Sequence, residues 1–279
     1  MAKIKIAIIS DTHDDINSRW EETQRVKAWF VQDIKDRQVN AALHCGDFGP
    51  LVPIRQFKPI ERLAVAHFGK AITDHCPFTG VKGNHDVFMD LAIFNELATK
   101  FPLRIMETPD VQVVTANNGQ KFAVAGMPWP VKGELIARLD ALCGCEQGQK
   151  RGECKACENA GLSPDQKEQI TADLMRNVFL GLGARLRALD MPSVFIMHAM
   201  VREARVSTGQ PIAPGQDFEI GQDYLGLVGA DFTALGHVHL GEGNEWTWNG
   251  ASIAYVGSPR RTNFGERETK SYILLEIET

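Results

Sequence analysis

Five short motifs place metal-binding types of side chain directly after apolar runs. The motifs are Asp11-Thr12-His13, Gly46-Asp47, Gly83-Asn84-His85-Asp86, His198 after Phe195-Ile196-Met197, and Gly236-His237-Val238-His239. Five of the eight histidines lie inside them, a concentration that core packing does not explain. Two carboxylates, a carboxamide and several imidazoles suit borderline divalent ions such as Mn²⁺, Fe²⁺ or Zn²⁺, and suit Ca²⁺ poorly. The motifs therefore predict a metal centre assembled from distant parts of the chain.

The spacing within the motifs favours more than one ion. Asp11 and His13 are two residues apart, so both side chains can face one side of an extended segment. The same holds for His237 and His239. Asp47 supplies a second carboxylate, which could bridge two ions about 3.5–4 Å apart, the separation found in two-metal phosphoryl-transfer sites. Glycines at positions 46, 83 and 236 are predicted to let the backbone turn sharply beside the site.

The elements that must position these motifs follow an α/β pattern. Residues 4–9 form an apolar run ending at Ser10-Asp11, as expected for a strand buried on both faces. Asn17 or Ser18 is predicted to cap the next helix. Further strands are predicted at residues 39–44, 111–115, 121–125, 194–197 and 232–235 and within 251–277, and helices at about 60–72, 132–142 and from Ser163-Pro164 onward. Because ligands of open α/β sheets gather at the carboxyl ends of strands, the motifs are expected to meet there.

Length and composition narrow the class of protein. The 279 residues are 44% hydrophobic and 23% charged, which is ordinary for a globular protein. No run approaches the roughly 18 apolar residues of a membrane span, and the first residues do not resemble a secretory signal, so we expect a cytoplasmic protein without membrane association. The net charge of -5 argues against a wholly basic nucleic-acid-coating protein, although a local basic patch stays compatible with it. We expect one domain over residues 1–279, with a helical insertion at about 132–190.

The cysteines fall into two groups. Four of them crowd into residues 143–157, namely Cys143, Cys145, Cys154 and Cys157. Four thiolates on a short loop can form a tetrahedral structural Zn²⁺ site, which we favour over disulfides or idle thiols. Cys45 and Cys76 stand apart and are predicted to be buried, reduced packing residues.

The ordered set D-x-H, G-D, G-N-H-D, H and G-H-x-H resembles the calcineurin-like metallophosphoesterases, from Lys3 to about Ile277. This resemblance implies a four-layer α/β (α+β) fold in which a β-sandwich core is flanked by helices. It implies a dinuclear centre that activates water for attack on phosphorus, with Mn²⁺ as the first choice of metal and Fe²⁺ or Zn²⁺ as alternatives. The implied ligands are Asp11, His13, Asp47 and His239 for one ion, and Asp47, Asn84, His198 and His237 for the other. His85 would protonate the leaving oxygen, and Asp86 would orient His85.

The segment from Tyr255 to Glu266 resembles the G-S-x-x-R-x-x-F-G-E segment of the SbcD family, the nuclease subunits of double-strand-break processing complexes. It implies a DNA exonuclease or endonuclease. Arg260 and Arg261, with Arg267 and Lys270, are predicted to form a basic cluster that contacts DNA phosphates. Family members commonly continue into a region that binds an SbcC-like ATPase. This sequence ends before that region, so such a partner is a weaker expectation than DNA.

Two other functions fit the same residues. One is a phosphatase or phosphodiesterase acting on a small nucleotide; the other is an inactive nucleic-acid-binding accessory protein that uses the cysteine cluster. The intact ligand set argues against the inactive protein. Trp129, Trp246 and Trp248 could stack on bases, although packing is the preferred interpretation. The sequence does not fix the oligomeric state, and a homodimer is compatible with it.

Overall fold

Two β-sheets stack face to face and carry the site between their edges. The computed structural model describes residues 3–51, 56–87, 89–131, 164–208, 210 and 219–278. The strands are β1 (Lys3–Ile9), β2 (Ala41–His44), β3 (Phe78–Val81), β4 (Leu103–Met106), β5 (Asp110–Thr115), β6 (Lys121–Met127), β7 (Ser193–His198), β8 (Met200–Val201), β9 (Glu219–Ile220), β10 (Phe232–Gly236), β11 (Glu245–Trp248), β12 (Ala251–Tyr255) and β13 (Ile273–Glu278). The α-helices are α1 (Trp20–Asp36), α2 (Pro59–Thr73), α3 (Pro164–Leu189) and α4 (Gln222–Val228), and a 3₁₀ helix covers Ala92–Glu96.

Parallel strands form the centre of each large sheet. The first sheet has the order β13-β1-β2-β3-β4 and is parallel except for β13, which runs antiparallel to β1. The second has the order β11-β12-β10-β7-β6-β5, and its four inner strands are parallel. Antiparallel hairpins supply its two edges, including the predicted β5–β6 hairpin. The strands that precede the five motifs are therefore parallel to one another within each sheet.

The apolar side chains define four layers. Between the sheets, Ile4, Ile6 and Ile8 of β1 pack with residues of the second sheet such as Val124 and Ile196. On the outer face of the first sheet, α1 and α2 pack through a cluster of aromatic and aliphatic residues. On the outer face of the second sheet, α3 and α4 do the same. The predicted fold, a β-sandwich core flanked by helices, is confirmed.

One local prediction was wrong. Arg19 precedes α1 in a left-handed conformation (φ 47°), and no side chain caps the helix. Asn17 is held elsewhere, because its backbone N–H donates to Asp15 Oδ1 and its own Oδ1 accepts from Lys58. Within residues 251–277 the strands are β12 and most of β13, with a long loop between them. That loop packs against the site.

The predicted helix at 132–142 and the cysteine cluster at 143–157 lie outside the described residues. The following helix, α3, begins at Pro164 as predicted. Cys45 and Cys76 are free and buried, as predicted. None of the described helices is long and apolar enough to cross a membrane.

Candidate metal centre

The seven predicted ligands come together at the carboxyl ends of five parallel strands. Asp11 and His13 follow β1, Asp47 follows β2 and Asn84 follows β3; His198 ends β7, and His237 and His239 follow β10. Each sheet therefore contributes one side of the centre. The sheets stack with these ends on the same side, which is why residues more than 200 positions apart in sequence become neighbours.

One group of side chains surrounds the position that the resemblance assigns to the first ion. His13 Nε2 and His239 Nε2 are 3.2 Å apart, and His239 Nε2 lies 3.8 Å from Asp11 Oδ1. The ligand atoms of these three residues all lie within 4.8 Å of one another. His13 Nε2 is also 3.7 Å from Asp47 Oδ2. This spacing suits a single cation bound by all of them.

A second group lies on the other side of Asp47. His198 Nε2 is 3.3 Å from Asp47 Oδ2 and 2.8 Å from Asn84 Oδ1, and His237 Nδ1 is 3.1 Å from the same Asn84 oxygen. Asp11, which the resemblance assigns to the first ion alone, also lies within 4.8 Å of Asp47 and His198. Asp47 is thus placed between the two groups, as a bridging carboxylate must be.

The hydrogen bonds of the imidazoles show that the residues fit divalent metals. His13 Nδ1 faces the Gly49 carbonyl at 3.2 Å, and His198 Nδ1 faces the Cys45 carbonyl at 2.7 Å. A carbonyl can only accept, so each Nδ1 carries a proton and donates it, as metal-ligating histidines usually do. In the neutral rings each Nε2 is therefore a bare lone pair, directed at other lone pairs. A cation satisfies this arrangement.

Burial and the charge of Asp47 shift the pKa values of these groups, upward for some and downward for others. Burial raises the pKa of Asp11 to about 7, and the nearby Asp47 charge adds to this effect. Burial alone would lower the pKa of His198, but the Asp47 carboxylate outweighs it and raises that pKa to about 9. Burial lowers the pKa of His237 to about 3 and that of His239 to about 4, which keeps both rings neutral. The neutral rings of His237 and His239 can bind a cation directly, whereas a cation at His198 replaces the proton that Asp47 stabilises there.

The backbone is strained at four of the ligands. Among the described residues, nine non-glycine residues have positive φ, and they include Asp11 (53°), His13 (46°), Asp47 (60°) and His237 (94°). Such conformations cost of order 1–3 kcal/mol and cluster at functional sites. The orientation of these side chains therefore costs the folded protein conformational free energy.

The three glycines act in two ways. Gly46 does turn the chain, with φ 98°. Gly83 and Gly236 do not have positive φ; they permit close approach instead. A Cβ at Gly83 would lie 2.0 Å from Asp47 Oδ1, and one at Gly236 would lie 2.2 Å from the Cys45 carbonyl oxygen. Any side chain at either position would displace a ligand or its support.

His85 reaches the centre without belonging to either group. Its Nε2 is 3.9 Å from Asp47 Oδ2, and its side chain is 17% exposed, against 0% for His13 and His198. Its Nδ1 faces the Pro50 carbonyl at 3.1 Å. The orienting partner of His85 is therefore this carbonyl and not the Asp86 carboxylate.

Asp86 has a different role from the one predicted. Its buried carboxylate accepts from the backbone N–H groups of Asp47 (3.0 Å), Phe48 (3.3 Å), Gly49 (2.7 Å) and Gly83 (2.8 Å). Because all four donors belong to the loops after β2 and β3, Asp86 positions Asp47. It does not orient the His85 ring.

The predicted basic cluster is not one exposed patch. Arg260 is 2% exposed, and its guanidinium donates to the His13 carbonyl at 3.3 Å. Lys270 Nζ pairs with Glu266 at 2.7 Å and Glu268 at 2.8 Å. Arg261 and Arg267 are exposed. All four cationic residues belong to this region, but Arg260 is buried and Lys270 is ion-paired, so neither offers a free charge at the surface.

Three supporting residues have no assigned role in the sequence motifs. Thr262 Oγ1 lies 2.8 Å from His239 Nδ1 and donates to Glu266 Oε1 at 2.8 Å. Gln210 holds the last motif, donating to the His237 carbonyl at 2.6 Å and accepting from the His239 N–H at 3.0 Å. Glu266, the last residue of the F-G-E sequence, could have indicated the contact with Thr262. Gln210 lies in no sequence motif that would have indicated its role.

Three aromatic contacts also involve side chains without an assigned role. His44 stacks on Phe48 with ring centres 3.7 Å apart, and its Nδ1 accepts from the Gly46 N–H. Trp129 packs on His237, with ring centres 4.7 Å apart. Trp246 packs edge-on against Tyr255 of the core. Packing is therefore the observed role of these aromatic residues.

Comparison with known proteins supports the geometry. Residues 4–138 match the family model of the calcineurin-like phosphoesterase superfamily domain. No curated protein matches the sequence significantly. A dimetal phosphatase from Danio rerio has a similar structure, with 12% sequence identity, a TM-score of 0.53, and coverage of 91% of this chain and 87% of that chain. GAP50, the anchor in the inner membrane complex of Plasmodium, is similar too, with 13% identity, a TM-score of 0.51, and coverage of 99% and 81%. At such identities the likeness concerns the fold.

The matched domain and the metal centre agree with each other. The first three motifs lie inside the matched residues, and His198, His237 and His239 join them in space. The chain matches the calcineurin-like phosphoesterase superfamily domain over residues 4–138 and is a metal-dependent hydrolase of phosphoester bonds.

Proposed function

We propose that the chain is a two-metal phosphodiesterase that cleaves DNA. The observation that carries the two-metal assignment is the position of Asp47 Oδ2, which lies 3.7 Å from His13 Nε2 and 3.3 Å from His198 Nε2. Two divalent ions held by these groups would neutralise phosphate oxygens and lower the pKa of a water molecule. The chain's own side chains supply the remaining steps.

His85 is the proton donor in this proposal. Since its Nδ1 donates to the Pro50 carbonyl, Nε2 is the atom that gains and loses a proton, and Nε2 is the atom that faces the centre. Protonated there, His85 would give its proton to the leaving alkoxide oxygen as the P–O bond breaks. Its partial exposure leaves room for that oxygen.

DNA is favoured as the substrate by the loop between β12 and β13. This loop touches the centre through Thr262 and Arg260 and presents the exposed cation Arg261 beside it. The resemblance of Tyr255–Glu266 to the SbcD segment adds to this argument. The burial of Arg260 and the pairing of Lys270 instead favour the second candidate, a small phosphoester, because they leave fewer exposed cations for a polymer.

Two variants test the catalytic assignment. Asp47→Asn should reduce the binding of both ions and abolish turnover. His85→Asn should retain bound metal while lowering the rate by 10²–10⁴-fold, as expected for a lost general acid. Metal content and Mn²⁺-dependent hydrolysis are measured on the same samples. If His85→Asn also loses its metal, His85 is a ligand and the proton-donor role is wrong.

A third variant tests the substrate. Arg261→Ala should flatten the salt dependence of DNA cleavage by about 0.9 in slope for a duplex or about 0.7 for a single strand. Arg25→Ala, which removes an exposed arginine from α1, is the matched control and should leave the slope unchanged. If the unmodified enzyme prefers a mononucleotide ester and Arg261→Ala does not alter the slope, the substrate is a small phosphoester.

A further inference from the structure

A cavity of about 380 Å³ adjoins the metal centre and has no role in the proposed chemistry so far. Residues 17–19, which precede α1, form one wall, and residues 261–266 form the other. Thr262 belongs to this wall and contacts the candidate ligand His239. Because Nε2 of the same ring faces His13 and Asp11, the His239 imidazole separates this wall of the cavity from the metal centre.

The 261–266 wall is held firmly in shape. The Glu266 carboxylate accepts from the backbone N–H groups of Thr262 (3.3 Å) and Asn263 (2.9 Å) as well as from the Thr262 hydroxyl. Lys270 pairs with the same carboxylate from behind. Arg19 Nη1 donates to the Arg261 carbonyl at 2.8 Å and joins the two walls. These hydrogen bonds within the protein fix the shape of the loop.

The tip of this loop carries an aromatic ring that the protein does not cover. Phe264 is fully exposed, more so than any other large hydrophobic side chain among the described residues. The ring lies on the cavity's lining, next to Arg261, whose guanidinium pairs with no carboxylate in the described ranges. An aromatic face beside a free cation suits a ligand that has a flat ring and a phosphate.

We propose that this cavity is a nucleotide subsite, in which Phe264 stacks on a base next to the scissile phosphate and Arg261 holds the adjoining phosphate. The proposal rests on the proposed function for its substrate class and assigns a specificity-determining residue to it. Stacking is tolerant of sequence because every base has a π-face, so the subsite would select nucleotides without selecting among bases.

Binding of strands that resist hydrolysis tests the subsite. The full chain, loaded with Mn²⁺, is titrated with a labelled phosphorothioate single strand and with a strand of the same length and charge whose sugars lack bases. Phe264→Ala should weaken binding of the normal strand roughly 5- to 150-fold, which corresponds to the about 1–3 kcal/mol of one stacked base. Binding of the abasic strand should stay within twofold. Phe264→Tyr should retain the preference for bases.

Trp29→Ala is the matched control, because Trp29 is also an exposed aromatic residue but lies outside the cavity's lining. It should change neither affinity. An equal loss for both strands in Phe264→Ala would overturn the proposal and indicate that the ring supports the loop or contacts a protein. Equal binding of both strands by the unmodified protein would overturn it as well. If Phe264→Ala abolishes a clear base preference but the unmodified protein cleaves no DNA, the subsite stands and the DNA nuclease assignment fails.

Discussion

Replacing Thr262 by valine should weaken metal binding although Thr262 touches no metal position. Its hydroxyl has one hydrogen, which it donates to the ionised Glu266, so towards His239 it can only accept. His239 therefore carries its proton on Nδ1 and keeps the Nε2 lone pair directed at His13 and Asp11. Valine has the same shape but cannot accept this hydrogen bond.

The size of the effect follows from the burial of the ring. His239 is 8% exposed, so an unpaired Nδ1–H would cost about 1–3 kcal/mol. Alternatively the proton moves to Nε2, which removes the lone pair that binds metal. Loss of such an orienting partner typically costs 10–100-fold in metal affinity or activity, or about 1.4–2.7 kcal/mol. We expect a change of that size for the ion on the His239 side of Asp47.

Calorimetric titration of the metal-free protein with Mn²⁺ measures this directly. In Thr262→Val the ion bound near His239 should weaken by 10–100-fold, while the ion near His198 should change little. Thr262→Ser keeps the hydroxyl and should behave as the unmodified protein. If Thr262→Val binds both ions within twofold of the unmodified protein, the hydroxyl does not set the protonation of His239 and the reasoning is refuted.

Three further variants test other parts of the structure. Asp86→Asn places an amide among four backbone N–H donors and should lower the free energy of unfolding by about 1.5–3 kcal/mol in urea titrations; an unchanged midpoint would contradict the anchoring role. Gly83→Ala puts a Cβ 2.0 Å from an oxygen of Asp47 and should abolish Mn²⁺-dependent turnover, whereas Gly181→Ala in α3, where a Cβ meets no atom within 4 Å, should not. Burial acts to raise the pKa of Glu268, but hydrogen bonds from a lysine and a serine outweigh it and lower that pKa to about 2. Its stabilisation is then present above the unfolded pKa near 4.5 and is lost as pH falls through about 2, so Glu268→Gln should cost about 1 kcal/mol at pH 7, after allowance for solvent screening, and progressively less below pH 4.5 in thermal unfolding.

The sequence predicts the parts of the site that depend on strand ends. The apolar run before Asp11 is buried on both faces in β1, and similar runs precede Asp47 and His198. A parallel sheet brings such ends to one edge, so the strand ends predicted that the motifs meet, and the resemblance to the calcineurin-like metallophosphoesterases implied which residues share each ion. The layers of the fold were implied by the resemblance to the calcineurin-like metallophosphoesterases.

Strand-end reasoning could not predict contacts between the site and segments that are distant from it in sequence. Arg260 has the charge of a DNA contact, but its partner is the carbonyl of His13, 247 positions earlier in the chain. Asp86 stands beside His85 in sequence, yet its carboxylate is directed at backbone N–H groups 37 to 39 positions away as well as at Gly83. Residue type gives the charge of a side chain, whereas only packing determines which donor reaches it.

The strain at the ligands is sustained by hydrogen bonds on both sides of one loop. Backbone N–H groups of the loop after β2 donate to Asp86, while its carbonyls at Asp47 and Phe48 accept from the N–H groups of His13 and Asp14. The Gly46 carbonyl accepts from Asp11 in the same way. Three ligands with positive φ are thus held by a ladder of backbone hydrogen bonds. Because the ladder pairs backbone groups whether or not an ion is bound, the conformational cost of orienting these ligands is met during folding. Metal binding then needs to overcome mainly the repulsion among the ligands, which a divalent charge removes.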